Sequence, residues 1–97
     1  MRESEKILKI LEELKEVLFT KYKVKKVGLF GSYIKEEQKE SSDIDVLVDF
    51  SEDADLIDLV GLVLFLEEKL RRKVDVVSEA ALREELKEPI LREVVYI

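Results

Sequence analysis

The chain has 97 residues, 46% apolar and 41% charged, with 17 lysines and arginines against 23 aspartates and glutamates for a net charge of −6. That length suits one domain, residues 1–97, because two would each fall below the size at which a core forms unaided. Cysteine and histidine are both absent, which excludes disulfides, thiolate metal sites, imidazole bases and zinc centres of the usual kind. Any metal must then be held by oxygen, favouring Mg²⁺ or Mn²⁺.

The acidic balance repels a phosphate backbone on average, so direct nucleic-acid binding is not expected. The start, MRESEKILKI, is charged from its second residue and lacks the apolar core of a signal peptide. The longest nearly apolar stretch, Leu59 to Leu66, is too short to span a bilayer. A soluble, cytoplasmic protein without membrane contact is the expectation.

Ile7, Ile10, Leu11, Leu14, Val17 and Leu18 recur at helical spacing, which predicts a first helix capped by Ser4 and running to about Thr20. Val24 to Phe30 is a short β-rich run ending at Gly31. The polar segment Ser32 to Ser42 has room for one helical turn at most. Ile44 to Phe50 is the clearest strand, with Ile44, Val46, Val48 and Phe50 on one face and Asp45, Leu47 and Asp49 on the other. Asp55 to Leu70 reads as a second long helix, with Ser51 or Asp53 near its cap.

Nine of the eleven residues from Leu56 to Leu66 are apolar. At 100° per residue Leu56, Leu59, Val60, Val63 and Leu70 form one stripe, assigned to the core. Ile57, Leu62, Leu64 and Phe65 then fall off its centre, to be covered by neighbouring helices or by another protein. Lys73 to Val77 is a third strand, Ser78 or Glu79 opens a helix that should end before Pro89, and Arg92 to Ile97 has the composition of a last strand. The fold class is α+β, a small mixed β-sheet backed by helices on one side.

Asp43 and Asp45 stand two apart on a strand, so their carboxylates share a face with Cα atoms roughly 6.5 Å apart. Two such groups repel unless a cation lies between them. Alone, the pair could simply be solvent-facing charge on an open sheet. Gly31-Ser32 lies ten residues upstream at the end of a strand, where a glycine lets backbone N–H groups approach a phosphate and the serine hydroxyl adds a donor. Asp75, in another apolar strand, can join the pair if that strand lies beside Ile44–Phe50; otherwise it is an edge charge that blocks aggregation.

The pattern G-S-x₁₀-D-x-D, with VGLF before it, SSDIDVLVDF around it and KVDVV after it, resembles the signature of the polymerase β-like nucleotidyltransferase superfamily. In length and order the chain resembles its minimal nucleotidyltransferase (MNT) proteins, antitoxins of HEPN/MNT pairs. The resemblance implies the polymerase β-like palm and a two-metal transfer, with Asp43, Asp45 and Asp75 as catalytic residues and ligands of two Mg²⁺ ions, and with ATP as substrate. Gly31, Ser32, Lys35 and Ser42 would bind the nucleotide. It further implies a HEPN-domain toxin as partner in a hetero- or homo-oligomer, with AMP transferred to a tyrosine hydroxyl of that toxin. The alternative is a nucleotide-binding module of weak or lost activity that neutralises its partner by direct binding. The chain departs from the family where a basic residue and a glycine often follow Gly-Ser: Tyr33 and Ile34 come next, and Lys35 is the first cation.

Overall fold

A computed structural model describes residues 1–97. The first amphipathic stretch forms two nearly continuous helices, α1 (Glu3–Glu13) and α2 (Lys15–Lys21), rather than one. Ser4 lies inside α1 and is not its cap; the Glu5 carboxylate instead accepts the Arg2 backbone N–H at 3.3 Å. Strand β1 (Val24–Phe30), the single turn α3 (Ser32–Lys35) and strand β2 (Ile44–Phe50) follow as expected. A bulge between Val24 and Lys26 explains why β1 exposes two consecutive lysines, after which its last four residues are all buried.

Helix α4 (Leu56–Leu70) carries the chain to β3 (Val74–Ser78). Its cap is Asp55, not Ser51 or Asp53. Asp55 accepts the Asp58 N–H at 3.0 Å, and Asp58 accepts the Asp55 N–H at 2.9 Å, which satisfies two otherwise orphan donors. Ser51 and Asp53 instead bond each other at 2.7 Å. After β3 a 3₁₀ turn (Glu79–Ala81) precedes α5 (Glu84–Glu93) and the two-residue β4 (Val95–Tyr96). The last helix therefore starts later than expected and runs through Pro89, and only Val95 and Tyr96 of the last six residues form strand. Because α5 starts at Glu84, Pro89 falls in its second turn and removes one bond, that to the Glu85 carbonyl.

The sheet is mixed, in the order β3-β2-β1-β4, with β2 and β3 parallel and both other pairings antiparallel. One face packs on the helices: Val27, Leu29, Ile44, Val46 and Val48 meet Ile7, Leu11, Leu18, Tyr33, Leu62 and Leu66 in one cluster. On the reverse face, Leu47 is fully buried as well. There Gly28, opposite Leu47, leaves room for the closing segment: a Cβ on it would stand 2.6 Å from Val94 Cγ2.

The stripe assigned to α4 is rotated from the true one. Leu62 and Leu66 are fully buried, whereas Leu56 and Val60 join Ile57 and Leu64 in an exposed set, 51% to 79% accessible. Leu62 is thus a core residue, and the outward apolar face belongs to Ile57, Val60 and Leu64. Replacing Leu62 with Ala should cost about 2–5 kcal/mol of unfolding free energy, while Ile57→Lys should stay within about 0.5 kcal/mol of wild type; urea titration of both variants checks the assignment. Tyr33 is a second test, since its hydroxyl is buried and lacks a hydrogen-bond partner. Tyr33→Phe should leave stability unchanged or raise it by about 1 kcal/mol.

Candidate active site

The carboxylates come together through strand register. Residues opposite one another in neighbouring strands share a face, and Asp45 lies opposite Phe30 on β1 and opposite Asp75 on β3. Adjacent strands are about 4.8 Å apart, so Asp45 and Asp75 are side by side. Asp43 precedes β2 by one residue and is exposed, as is Asp75; Asp45 is half-buried.

Gly31 closes the other side of Asp45. Its φ of 79° with ψ of −150° is open only to glycine. A Cβ there would collide with Asp45 Oδ2 and stand 2.9 Å from its Cγ. Two independent constraints therefore demand glycine, one on the turn and one on contact with the central carboxylate. Ser32 and Tyr33 open α3 directly after that glycine, so their N–H groups have no partner within the turn. Tyr33 itself is buried in the core, which gives a structural reason for an aromatic residue where the family often has a cation.

The remaining expected residues are placed less directly. Lys35 Nζ lies 3.8 Å from Glu93 Oε2, in an ion pair that ties α3 to α5. The Ser42 hydroxyl accepts the Lys39 N–H at 2.8 Å and so shapes the turn before β2. Glu93 was not foreseen, and nothing in the sequence around it distinguishes it from a surface glutamate. Its Oε2 is buried without a hydrogen-bond partner. The largest surface hollow, about 560 Å³, is lined by α5 alone and shares no residue with the carboxylates.

Burial pushes the Asp45 carboxyl above its ordinary value, and the charges of Asp75, Asp43 and Glu93 push it further in the same direction. Asp43, Asp45 and Asp75 do not close into a three-carboxylate cluster. Mg²⁺ does not need one, since it keeps several waters and takes one or two carboxylates together with substrate phosphates. An all-oxygen donor set with crowded negative charge fits such an ion.

The chain belongs to the polymerase β nucleotidyltransferase family, whose model (Polymerase beta, Nucleotidyltransferase) matches residues 12–97, and it is an enzyme of that class. Protein adenylyltransferase MntA of Thermococcus cleftensis is 41% identical over 93 residues, covering 96% of this chain and 94% of that one. Two solved toxin-antitoxin complexes share the fold. One, with AMP-PNP, matches at 26% identity and a TM-score of 0.69, covering 97% of this chain and 71% of the other. The second, a tri-AMPylated Shewanella oneidensis HEPN toxin in complex with MNT antitoxin, matches at 25% identity and a TM-score of 0.59, covering 96% of this chain and 66% of the other.

The raised Asp45 carboxyl has a stability consequence of definite sign. Its folded pKa exceeds its unfolded one, so its favourable contribution is complete below about pH 3.8, the ordinary value, and is lost as pH rises through the raised value. Asp45→Asn, with no charge to bury, escapes that loss. In metal-free buffer the variant's melting temperature relative to wild type should therefore climb between pH 3.5 and pH 7 (~3.5 and ~7 bracket the ordinary carboxylate range); a constant difference would refute the crowding.

Proposed function

We propose that the protein is an adenylyltransferase that moves AMP from ATP to a hydroxyl, a tyrosine of a HEPN-type toxin, and so acts as its antitoxin. The observation that carries this reading is the register of β2 and β3, which sets Asp75 beside Asp45 while Gly31-Ser32 abuts the same carboxylate. The names of the relatives support the choice of AMP and of a protein acceptor, and the AMP-PNP complex supports an ATP donor.

Asp43, Asp45 and Asp75 would hold Mg²⁺, which when bound neutralises the triphosphate and lowers the pKa of the acceptor hydroxyl. Ser32 and the N–H groups that follow Gly31 orient the phosphates. Asp75, exposed at the edge of the sheet, faces the incoming acceptor and takes the hydroxyl proton. The acceptor oxygen forms a bond to the α-phosphorus, the bond from that phosphorus to the bridging oxygen breaks, and pyrophosphate carries away the electron pair. With no histidine in the chain, the remainder of the rate comes from positioning and charge neutralisation.

No helix is long and apolar enough to cross a membrane, and an ATP donor suits a cytoplasmic setting.

Transfer of label from ATP to the co-expressed HEPN partner tests the proposal. Asp43→Asn and Asp45→Asn should each lower the rate by at least about 100-fold, and normal transfer by the double variant would remove the site. Asp75→Asn should abolish transfer while leaving Mg²⁺·AMP-PNP binding within about threefold of wild type, a change of about 0.65 kcal/mol at most. Binding and transfer measured on the same preparation separate the two roles.

A further inference from the structure

Helix α4 carries a surface that the rest of the fold leaves uncovered. Leu56, Val60 and Leu64 recur every four residues along its outer side, with Ile57 beside them, and all four are exposed. Single apolar side chains on a surface are ordinary, but a continuous row of them marks a contact. Val60 and Leu64 also line two shallow hollows, of about 340 and 370 Å³, each walled mainly by apolar side chains. The row is therefore a ridge between two grooves, the relief by which one helix packs on another.

The charges at the two ends of this row differ in sign. At its start stand Glu52, Asp53, Asp55 and Asp58. One cation, Lys23, reaches two of them, Asp53 and Asp58. At its end Lys69, Arg71, Arg72 and Lys73 outnumber Glu67 and Glu68, and none of those four cations forms an ion pair. The helix dipole favours this polarity on any helix. It does not account for the apolar side chains left in water between the two ends. Acid, apolar ridge and base follow one another along roughly 22 Å of helix. Such a surface is complementary to itself when a second copy is turned end for end.

We infer that α4 is the contact between two copies of this chain, packed antiparallel about a two-fold axis. About such an axis every contact is made twice. With the axis midway between Val60 and Leu64, Leu64 lies over Val60 of the second copy. Lys69 and Arg72 then lie toward Asp55 and Glu52 of that copy. A parallel arrangement would set acid against acid and base against base. Four partly exposed side chains with charged ends fall short of the roughly 800 Å² that each partner gives to a standard interface, so the dimer is a weak one. Its Kd should be roughly 30 µM. Chains at about 1 µM are then nearly all monomers and chains at about 300 µM mostly dimers, by mass action.

Sedimentation equilibrium of the full chain across that concentration range tests the contact. Wild type should pass from monomer to dimer. Val60→Lys should weaken association at least about tenfold, with a dilute melting curve matching that of wild type. Two further variants test the orientation. Glu52→Lys/Asp53→Lys makes both ends of the row basic, and Lys69→Glu/Arg72→Glu makes both acidic. Each alone should associate at least about tenfold more weakly than wild type, and an equimolar mixture should regain a dimer containing one of each. A wild type that stays monomeric throughout overturns the contact. So does a dimer that Val60→Lys leaves intact, or a mixture no more associated than its components. A monomeric wild type whose Val60→Lys variant no longer binds the HEPN partner assigns the ridge to that partner and overturns the second copy.

Discussion

Asp45 lies between two strands that run in the same direction and in opposite directions relative to its own. Toward β1 it meets Phe30 and the glycine that ends that strand, and toward β3 it meets Asp75. Asp75 is held there by the parallel pairing of β2 with β3, which needs a crossover. The fifteen residues of α4 supply one. A slip of β3 by a single residue would replace Asp75 on that face with Val74 or Val76. Val74 is buried on the helix side, so such a slip would put apolar surface in water and a carboxylate in the core. The geometry of the carboxylates is thus decided on the opposite face of the sheet, by Leu62 and Leu66 of α4 and by Val74 itself.

The two faces carry opposite physics. All fifteen large buried side chains are apolar and no charged group is buried among them, so the helix side has no electrostatic demand. The other side gathers Asp43, Asp75 and Glu93 around Asp45, and each of the three raises the cost of ionising it. Lys35 offsets part of that repulsion through its ion pair with Glu93. Lys35 is therefore coupled to the central carboxylate through Glu93.

Different parts of this arrangement were legible in the sequence for different reasons. The strand Ile44–Phe50 was legible because its alternation is strict, and with it the shared face of Asp43 and Asp45. Gly31 could be read as a turn, but its contact with Asp45 is a tertiary fact. Asp75 was visible as a strand carboxylate, whereas its partner required the register of β3. Helix α4 was legible in extent and not in orientation: with nine of eleven residues apolar, no polar residue marks the outer face, and a rotation of the stripe costs nothing in pattern. Its cap was ambiguous because Ser51, Asp53 and Asp55 all have capping side chains, and only Asp55 has an acidic residue three positions on that returns the bond. Pro89 misled because a proline in a short helix removes one hydrogen bond, which neighbouring turns can survive.

Stability and chemistry make opposite demands at Asp45. A folded chain without ligand would be more stable with a neutral side chain there, since burial and three neighbouring carboxylates all disfavour the charge. The proposed transfer would need that same charge to be present and unsatisfied until cations and phosphates arrive. Whatever binds and relieves the repulsion is bound more tightly by the folded state than by the unfolded one, so it stabilises the fold by mass action. A core without buried charge gives the chain a margin from which this local cost can be met. The cost stays local because Gly31 and the β3 register hold the carboxylates at the edge of the sheet, where Asp43 and Asp75 remain in water. The protein is therefore least self-sufficient at these carboxylates, and the apolar packing of α4 on the far face of the sheet is what makes that arrangement tolerable.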